Sequence, residues 1–222
     1  MYKDIGKDIS KGSIEYTYLS IMSNKFNVGI IGGGKVGYIK SKNFLSKKCN
    51  VEVLSLNFVD DFEHIKNIKL IKKGYYKEFI KDKHLVIIAT DNKDLNLKIK
   101  KDCEEDYKIY IFAEDYLNSM AIAPVQRNLN NISFAVNTNY GNPKGSLMVA
   151  EKIIETLKKY DEFIGYSSLI RKSAKNIEEH KKQIIDFVCS EDFKYMYEKK
   201  KDKIVIEMFF GEEVLNKIYK NL

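Results

Sequence analysis

The chain has 222 residues, 44 % of them hydrophobic and 31 % charged, with a formal net charge of +7. That length can bury a real core in one α/β domain plus a smaller appendage, and the composition excludes an intrinsically disordered chain. No apolar run is long enough to cross a bilayer, and the charged start "MYKDIGKDIS" lacks the apolar segment of a secretory signal, so a cytoplasmic protein is expected.

Residues 1–24 read only as a leading segment. "NVGII" (27–31) then reads as a first strand, and residues 35–47 as a helix. "VEVLSL" (51–56) is a second strand, "IKLI" (68–71) a short third, and "LVIIA" (85–89) an unbroken apolar run of the buried-strand kind. "DNKDLNLKIKKDCEE" has helical character, and "KIYIF" (108–112) is a further strand. This alternation predicts a Rossmann-type parallel sheet flanked by helices, in the α/β class. After Phe112 the rhythm changes. "ISFAV" (132–136) is one more strand, and "NTNYGNPKG" is turn-forming. Leu147, Ala150, Ile153, Ile154 and Leu157 then fall at helical spacing, and the rest, to Leu222, is charged and helical apart from the apolar "IVIEMFF".

The most informative stretch is "GIIGGGKVGYIK" (29–40), in which Gly32, Gly34 and Gly37 satisfy G-x-G-x-x-G. The motif alone is weak, but here it follows a strand and opens a helix. The first glycine makes the tight turn, the second lets backbone approach a pyrophosphate, and the third lets the helix pack on the sheet. The helix N-terminus offers free N–H groups to the anion. The acidic residue that ends strand two in dinucleotide sites is missing, because the region reads "VLSLNF" and the nearest carboxylates are Asp60 and Asp61. Ser55 or Asn57 could bond the ribose instead. NAD versus NADP stays open, with a tilt to NAD because no arginine stands there for a 2′-phosphate. "ATDNKDLN" (89–96) follows the apolar strand, so Thr90 and Asp91 fall at the carboxyl end of the sheet, where ligands bind. Asp91 either faces that crevice or caps the next helix.

The remaining chemistry is sparse. Cys49, Cys103 and Cys189 are widely spaced, without a C-x-x-C, and read as free thiols. His64, His84 and His180 are scattered among charged neighbours and read as surface residues, so no metal site is expected. The positive charge is carried by lysines spread over the whole chain, with Arg127 and Arg171 the only arginines, which argues against a nucleic-acid partner.

Taken together, "IIGGGKVGYIK", "ATDNKDLN" and "APVQRNLNNISFAVNTNYGNPKG" resemble, in order, three elements of the precorrin-2 dehydrogenase/sirohydrochlorin ferrochelatase family, the siroheme synthase N-terminal module. The resemblance covers residues 25–160 by motif and the tail by character only. It implies an NAD-binding Rossmann domain (1–112), a dimerisation region (113–146) and a helical C-terminal domain (147–222). It also implies a homodimer that oxidises precorrin-2, a polycarboxylate tetrapyrrole, to sirohydrochlorin with NAD. In some members the same site inserts iron or cobalt. Gly32, Gly33, Gly34, Lys35 and Val36 fall on the family's cofactor loop, Leu56 and Asn57 near the adenosine ribose, and Thr90, Asp91 and Asn96 on its second motif. Lys40 falls on the family's lysine, and Pro124, Thr138, Gly141 and Pro143 on the third motif.

Gly37 replaces the usual alanine, and the family's key aspartate is shifted. Counting back from Pro124 puts Glu114 in its slot and Asp115 just after, in "IFAEDYLNS". A carboxylate there can act as the general base that accompanies hydride removal; the alternative is a solvated turn after a strand. Two other readings of the whole chain stand beside the enzyme. One is a non-catalytic nucleotide- or tetrapyrrole-binding protein of the same fold. The other is a regulatory Rossmann domain, which fits the glycine loop but not "NTNYGNP".

Overall fold

The computed structural model describes residues 15–113 and 115–220. Two compact units divide the chain, one of residues 16–123 and one that takes the chain from residue 124 to its end. Most of the leading segment lies outside the described residues. Its described part, 15–22, forms no regular element and runs into a short 3₁₀ turn, Ser23–Lys25.

The first unit is a five-stranded, all-parallel sheet. Its strands are β1 (Asn27–Gly33), β2 (Asn50–Phe58), β3 (Lys69–Lys72), β4 (Leu85–Ile88) and β5 (Ile109–Phe112), in the order β3-β2-β1-β4-β5. The helices are α1 (Lys35–Leu45) and α2 (Lys93–Glu105). Side chains alternate across a strand, and the two cores follow from that alternation. Val28 and Ile30 of β1, Val51 and Val53 of β2, and Leu85 and Ile87 of β4 pack with Phe44 of α1 and Phe62. Ile31, Leu54, Val86 and Ile88 pack on the opposite face with Ile99 and Cys103 of α2 and with Phe79 and Ile80. A strand buried on both faces has no polar side to show, which is why "LVII" reads as a continuous apolar run. This strand order reverses direction between β1 and β4. That places the crevice at the carboxyl ends of those two strands, where this architecture binds ligands.

The second unit starts with an antiparallel hairpin of β6 (Val125–Asn128) and β7 (Ser133–Val136). The 32-residue helix α3 (Pro143–Ala174) follows; it is about 48 Å long at 1.5 Å per residue. Asn142 caps it by accepting from the Gly145 N–H at 2.8 Å, and Pro143 fills the first turn, where a missing N–H costs nothing. The buried Asp161 carboxylate accepts the backbone N–H groups of Asn130, Asn131 and Ile132 at 3.1, 2.9 and 3.0 Å, pinning the hairpin turn to α3. Four short helices complete the unit: α4 (Lys181–Val188), α5 (Glu191–Glu198), α6 (Asp202–Phe210) and α7 (Glu212–Tyr219). They enclose Phe163, Ile170, Ile184, Phe193, Ile206 and Ile218. The hydroxyls of Tyr166 and Tyr219 both donate to the Asp202 carboxylate, which ties α3, α6 and α7 together.

Candidate functional site at the carboxyl edge of the sheet

The glycine turn joins β1 to α1. Gly32 has φ +122°, and a β-carbon there would lie 2.1 Å from the Ala89 carbonyl oxygen, so only glycine fits. A β-carbon on Gly33 would lie 2.3 Å from the Asn57 oxygen. Gly34 is different. It is exposed, its φ is −78°, and a β-carbon there would meet nothing within 4 Å. Nothing in the packing of the described residues requires glycine at 34, and a side chain there would enter open space. Gly34 is also the N-cap of α1 and carries no capping side chain, so the N–H groups of the first turn, Lys35 to Gly37, receive no side-chain cap. Those N–H groups and the helix dipole make this end attractive to an anion. The Lys35 and Val36 side chains are exposed beside it.

The end of β2 lies against this turn. Pairing with β1 runs evenly to Ile31↔Leu54 and resumes at Gly33↔Phe58, so Ser55, Leu56 and Asn57 bulge where β1 has only Gly32. The bulge exposes Leu56 by 66 % and leaves Asn57 exposed. The Ser55 hydroxyl donates to the Asn57 carbonyl at 2.7 Å, so its proton is already committed. The Asn57 side chain has no hydrogen bond among the described residues and is the free polar group at this strand end.

On the other side of the turn, β4 leads into Ala89–Asn92. The Asn96 side chain, 2 % exposed, donates to the Thr90 carbonyl at 2.7 Å and accepts the Thr90 hydroxyl, fixing the backbone that covers Gly32. The cap of α2 is Asn92, which accepts from the Leu95 N–H at 3.0 Å. The capping role open to Asp91 in the sequence therefore belongs to its neighbour. Asp91 is exposed, with no hydrogen bond or ion pair among the described residues.

The 3₁₀ turn Tyr116–Asn118, capped by Asp115, comes after β5, whose pairing with β4 reaches Ile88↔Phe112. All five strands are parallel, so this turn leaves the same edge of the sheet as the glycine turn. Glu114 lies outside the described residues. Asp115 caps the 3₁₀ turn Tyr116–Asn118, accepting from the Leu117 and Asn118 N–H groups at 3.1 and 3.4 Å and from the Asn118 side-chain amide at 2.6 Å. The Asn118 amide, aided by those backbone N–H groups and Lys100, holds the Asp115 carboxyl below its usual range. The Ser119 hydroxyl accepts from the Phe112 N–H at 2.8 Å and closes the turn. Among the described residues, no group of three or more His, Cys, Asp or Glu side chains is placed to hold a metal ion. Thr138, Gly141 and Pro143 belong to the second unit, where they shape the entry to α3. The Asn142 N–H donates to the Thr138 hydroxyl at 2.6 Å, and Gly141 has φ +69°. Pro124 opens the stretch that this unit takes from residue 124 onward.

Residues 19–125 match the family model described as "Putative NAD(P)-binding". Among solved structures, the chain is similar to "SirC, precorrin-2 dehydrogenase" with a TM-score of 0.62 at 15 % identity, over 92 % of this chain and 100 % of that one. A search of the curated proteins found no match. The first match falls on the segment that carries the glycine turn, and the second shows a shared fold over nearly the whole chain.

Proposed function

We propose that this chain is a precorrin-2 dehydrogenase, oxidising a polycarboxylate tetrapyrrole with a nicotinamide dinucleotide held at the glycine turn. The observation that carries the reading is Gly34, a glycine that no contact within the chain explains, at the uncapped start of a helix. A diphosphate explains both features, because it needs close backbone approach and free N–H donors. Leu56 offers an apolar seat for the adenine, Asn57 a polar contact for its ribose, and the Thr90–Asp91 turn borders the nicotinamide half of the crevice. NAD is the form the sequence favours.

The dinucleotide would accept a hydride from the macrocycle. The chain's own part is to orient the two molecules and to take the proton lost with the hydride. The base belongs to the 114–115 pair. Asp115 spends its carboxylate on the turn, so Glu114 is assigned the proton and Asp115 the positioning. Iron or cobalt insertion would be a further activity of the same site, the metal being a substrate. We also assign the chain to the cytoplasm, and no described helix is long and apolar enough to cross a membrane. A homodimer would use the partly exposed apolar face of α3 formed by Met148, Val149, Ile153 and Leu157.

The test is anaerobic incubation of the purified chain with precorrin-2 and NAD, following sirohydrochlorin absorbance. Turnover is expected. Binding of the tetrapyrrole without turnover would favour the second reading, a non-catalytic binding protein, which the displaced carboxylate alone recommends.

A further inference from the structure

The dinucleotide reading leaves open how the crevice treats the 2′ position of the adenosine ribose, and any selectivity inferred there rests on that reading. A carboxylate at the end of β2 normally grips both ribose hydroxyls and repels a 2′-phosphate. Here Ser55, Leu56 and Asn57 occupy that end, and this end of the strand carries no carboxylate. Asp60 and Asp61 come later, exposed on the 3₁₀ turn after β2. Glu52, the acid within β2, lies three positions upstream and is paired with Lys69 at 3.0 Å and Lys83 at 3.1 Å.

The neighbouring strand brings positive charge to the same place. Lys72, the last residue of β3, is in register with Ser55. The Lys73 N–H donates to the Ser55 carbonyl at 3.0 Å. A β-carbon on Gly74 would lie 3.9 Å from Leu56 Cδ2, so the loop after β3 lies against the bulge. Both lysines are exposed, and neither forms an ion pair among the described residues. The Lys73 ammonium rests over the Tyr76 ring, 4.4 Å from its centroid.

We propose that Lys72 and Lys73 form a cationic rim that reads the 2′ position, so that the chain takes NADP at least as well as NAD. The tilt towards NAD rests on the missing arginine in β2. Lysine serves a phosphate as a point charge and needs no fork geometry, and it can come from the next strand. With NAD, the Asn57 side chain is left to serve the two hydroxyls alone.

The experiment is calorimetric titration of the full chain with NAD⁺ and NADP⁺ at low ionic strength, for the wild type and for Lys72→Ala, Lys73→Ala and the double variant. The expected result is NADP⁺ binding as tight as NAD⁺ or tighter. The double variant should lose roughly tenfold or more for NADP⁺, the size of one or two charge-assisted contacts, and less than about twofold for NAD⁺. A thermal melt of each variant checks that the fold is intact, and Lys72→Glu gives a second, stronger contrast should the alanine changes be small. Tenfold preference for NAD⁺, or equal weakening of both dinucleotides in the double variant, overturns this inference while leaving the dinucleotide site standing. Failure of the wild type to bind either one overturns the site itself, and this inference with it.

Discussion

A β-carbon on Gly37 would lie 2.0 Å from the Gly32 carbonyl oxygen, so helix α1 and the glycine turn touch through bare backbone. The glycines of one motif therefore answer to different demands. Gly32 and Gly37 serve the chain's own packing, and Gly34 is the one assigned to the dinucleotide in the proposed function. Substitution separates them. Gly37→Ala should destabilise the first unit by about 1–3 kcal/mol, as overpacking does. Gly34→Asp should leave the urea midpoint nearly unchanged and lower dinucleotide affinity at least about tenfold, because a side chain and a negative charge would enter the phosphate position. Unchanged affinity in a folded Gly34→Asp protein would remove the turn from the site.

The buried Asn96 amide holds both the carbonyl and the hydroxyl of Thr90. Asn96→Leu fills the space but strands the Thr90 carbonyl, a loss of about 1–3 kcal/mol. Since that backbone also roofs Gly32, dinucleotide binding should weaken in the same variant. Equilibrium unfolding and calorimetry on one preparation read both effects; a stability loss with full affinity would confine Asn96 to the fold.

Much of this architecture is legible in the sequence. The apolar runs of β1 and β4 mark the core of the sheet because strands buried on both faces favour apolar residues. The glycine spacing points to the edge where the site lies. The features that stay hidden depend on partners distant in sequence. β6, "VQRN", is unreadable because its pattern of burial exists only once β7 and α3 pack against it. Helix α3 runs past residue 160 through Gly165, Ser167 and Ser168, where Phe163, Ile170 and Ala174 bury themselves and override weak helix propensity. The three-fold grip of Asp161 on the hairpin turn has no local signal. The Asp115 cap does have one, since an acidic residue before a short helical turn is a favoured N-cap.

Asp161 gives the second unit a test of its own. Asp161→Ala orphans three backbone N–H groups beneath the hairpin and should cost about 2–4 kcal/mol. Asp161→Asn keeps an acceptor oxygen for Asn131 and Ile132 and should cost less. Comparing the melting temperatures of the two variants checks this order; equal losses would mean that the charge, and not the number of acceptors, holds the turn.

The cysteines should react in sequence. Burial first, and then the neighbouring Asp102, push the Cys103 thiol up to about 12, and burial likewise raises Cys49. Cys189 is exposed. A thiolate-selective reagent at about pH 8 should label one thiol per chain quickly and the other two only on unfolding. Mass spectrometry of the labelled peptides identifies the site, and early labelling at Cys103 would contradict the buried packing of α2.

The division of labour proposed for Glu114 and Asp115 makes opposite predictions for the two acids. Asp115→Asn keeps the cap, since an amide oxygen can still accept from Leu117 and Asn118; it should retain most of kcat. Glu114→Gln should lower kcat about 10²-fold or more, with a smaller change in KM, if it removes the proton acceptor. The pH dependence separates them again. The folded state favours the ionised form of Asp115, so its contribution to the turn is present above the ordinary value of 3.8 and is lost only as pH falls through a value lower still. A carboxyl held below its ordinary range is not expected to give the acidic limb of a profile near neutrality. An acidic limb in the kcat profile that survives Asp115→Asn and vanishes in Glu114→Gln would assign the proton to Glu114. The reverse pattern would return it to Asp115 and undo the positioning role.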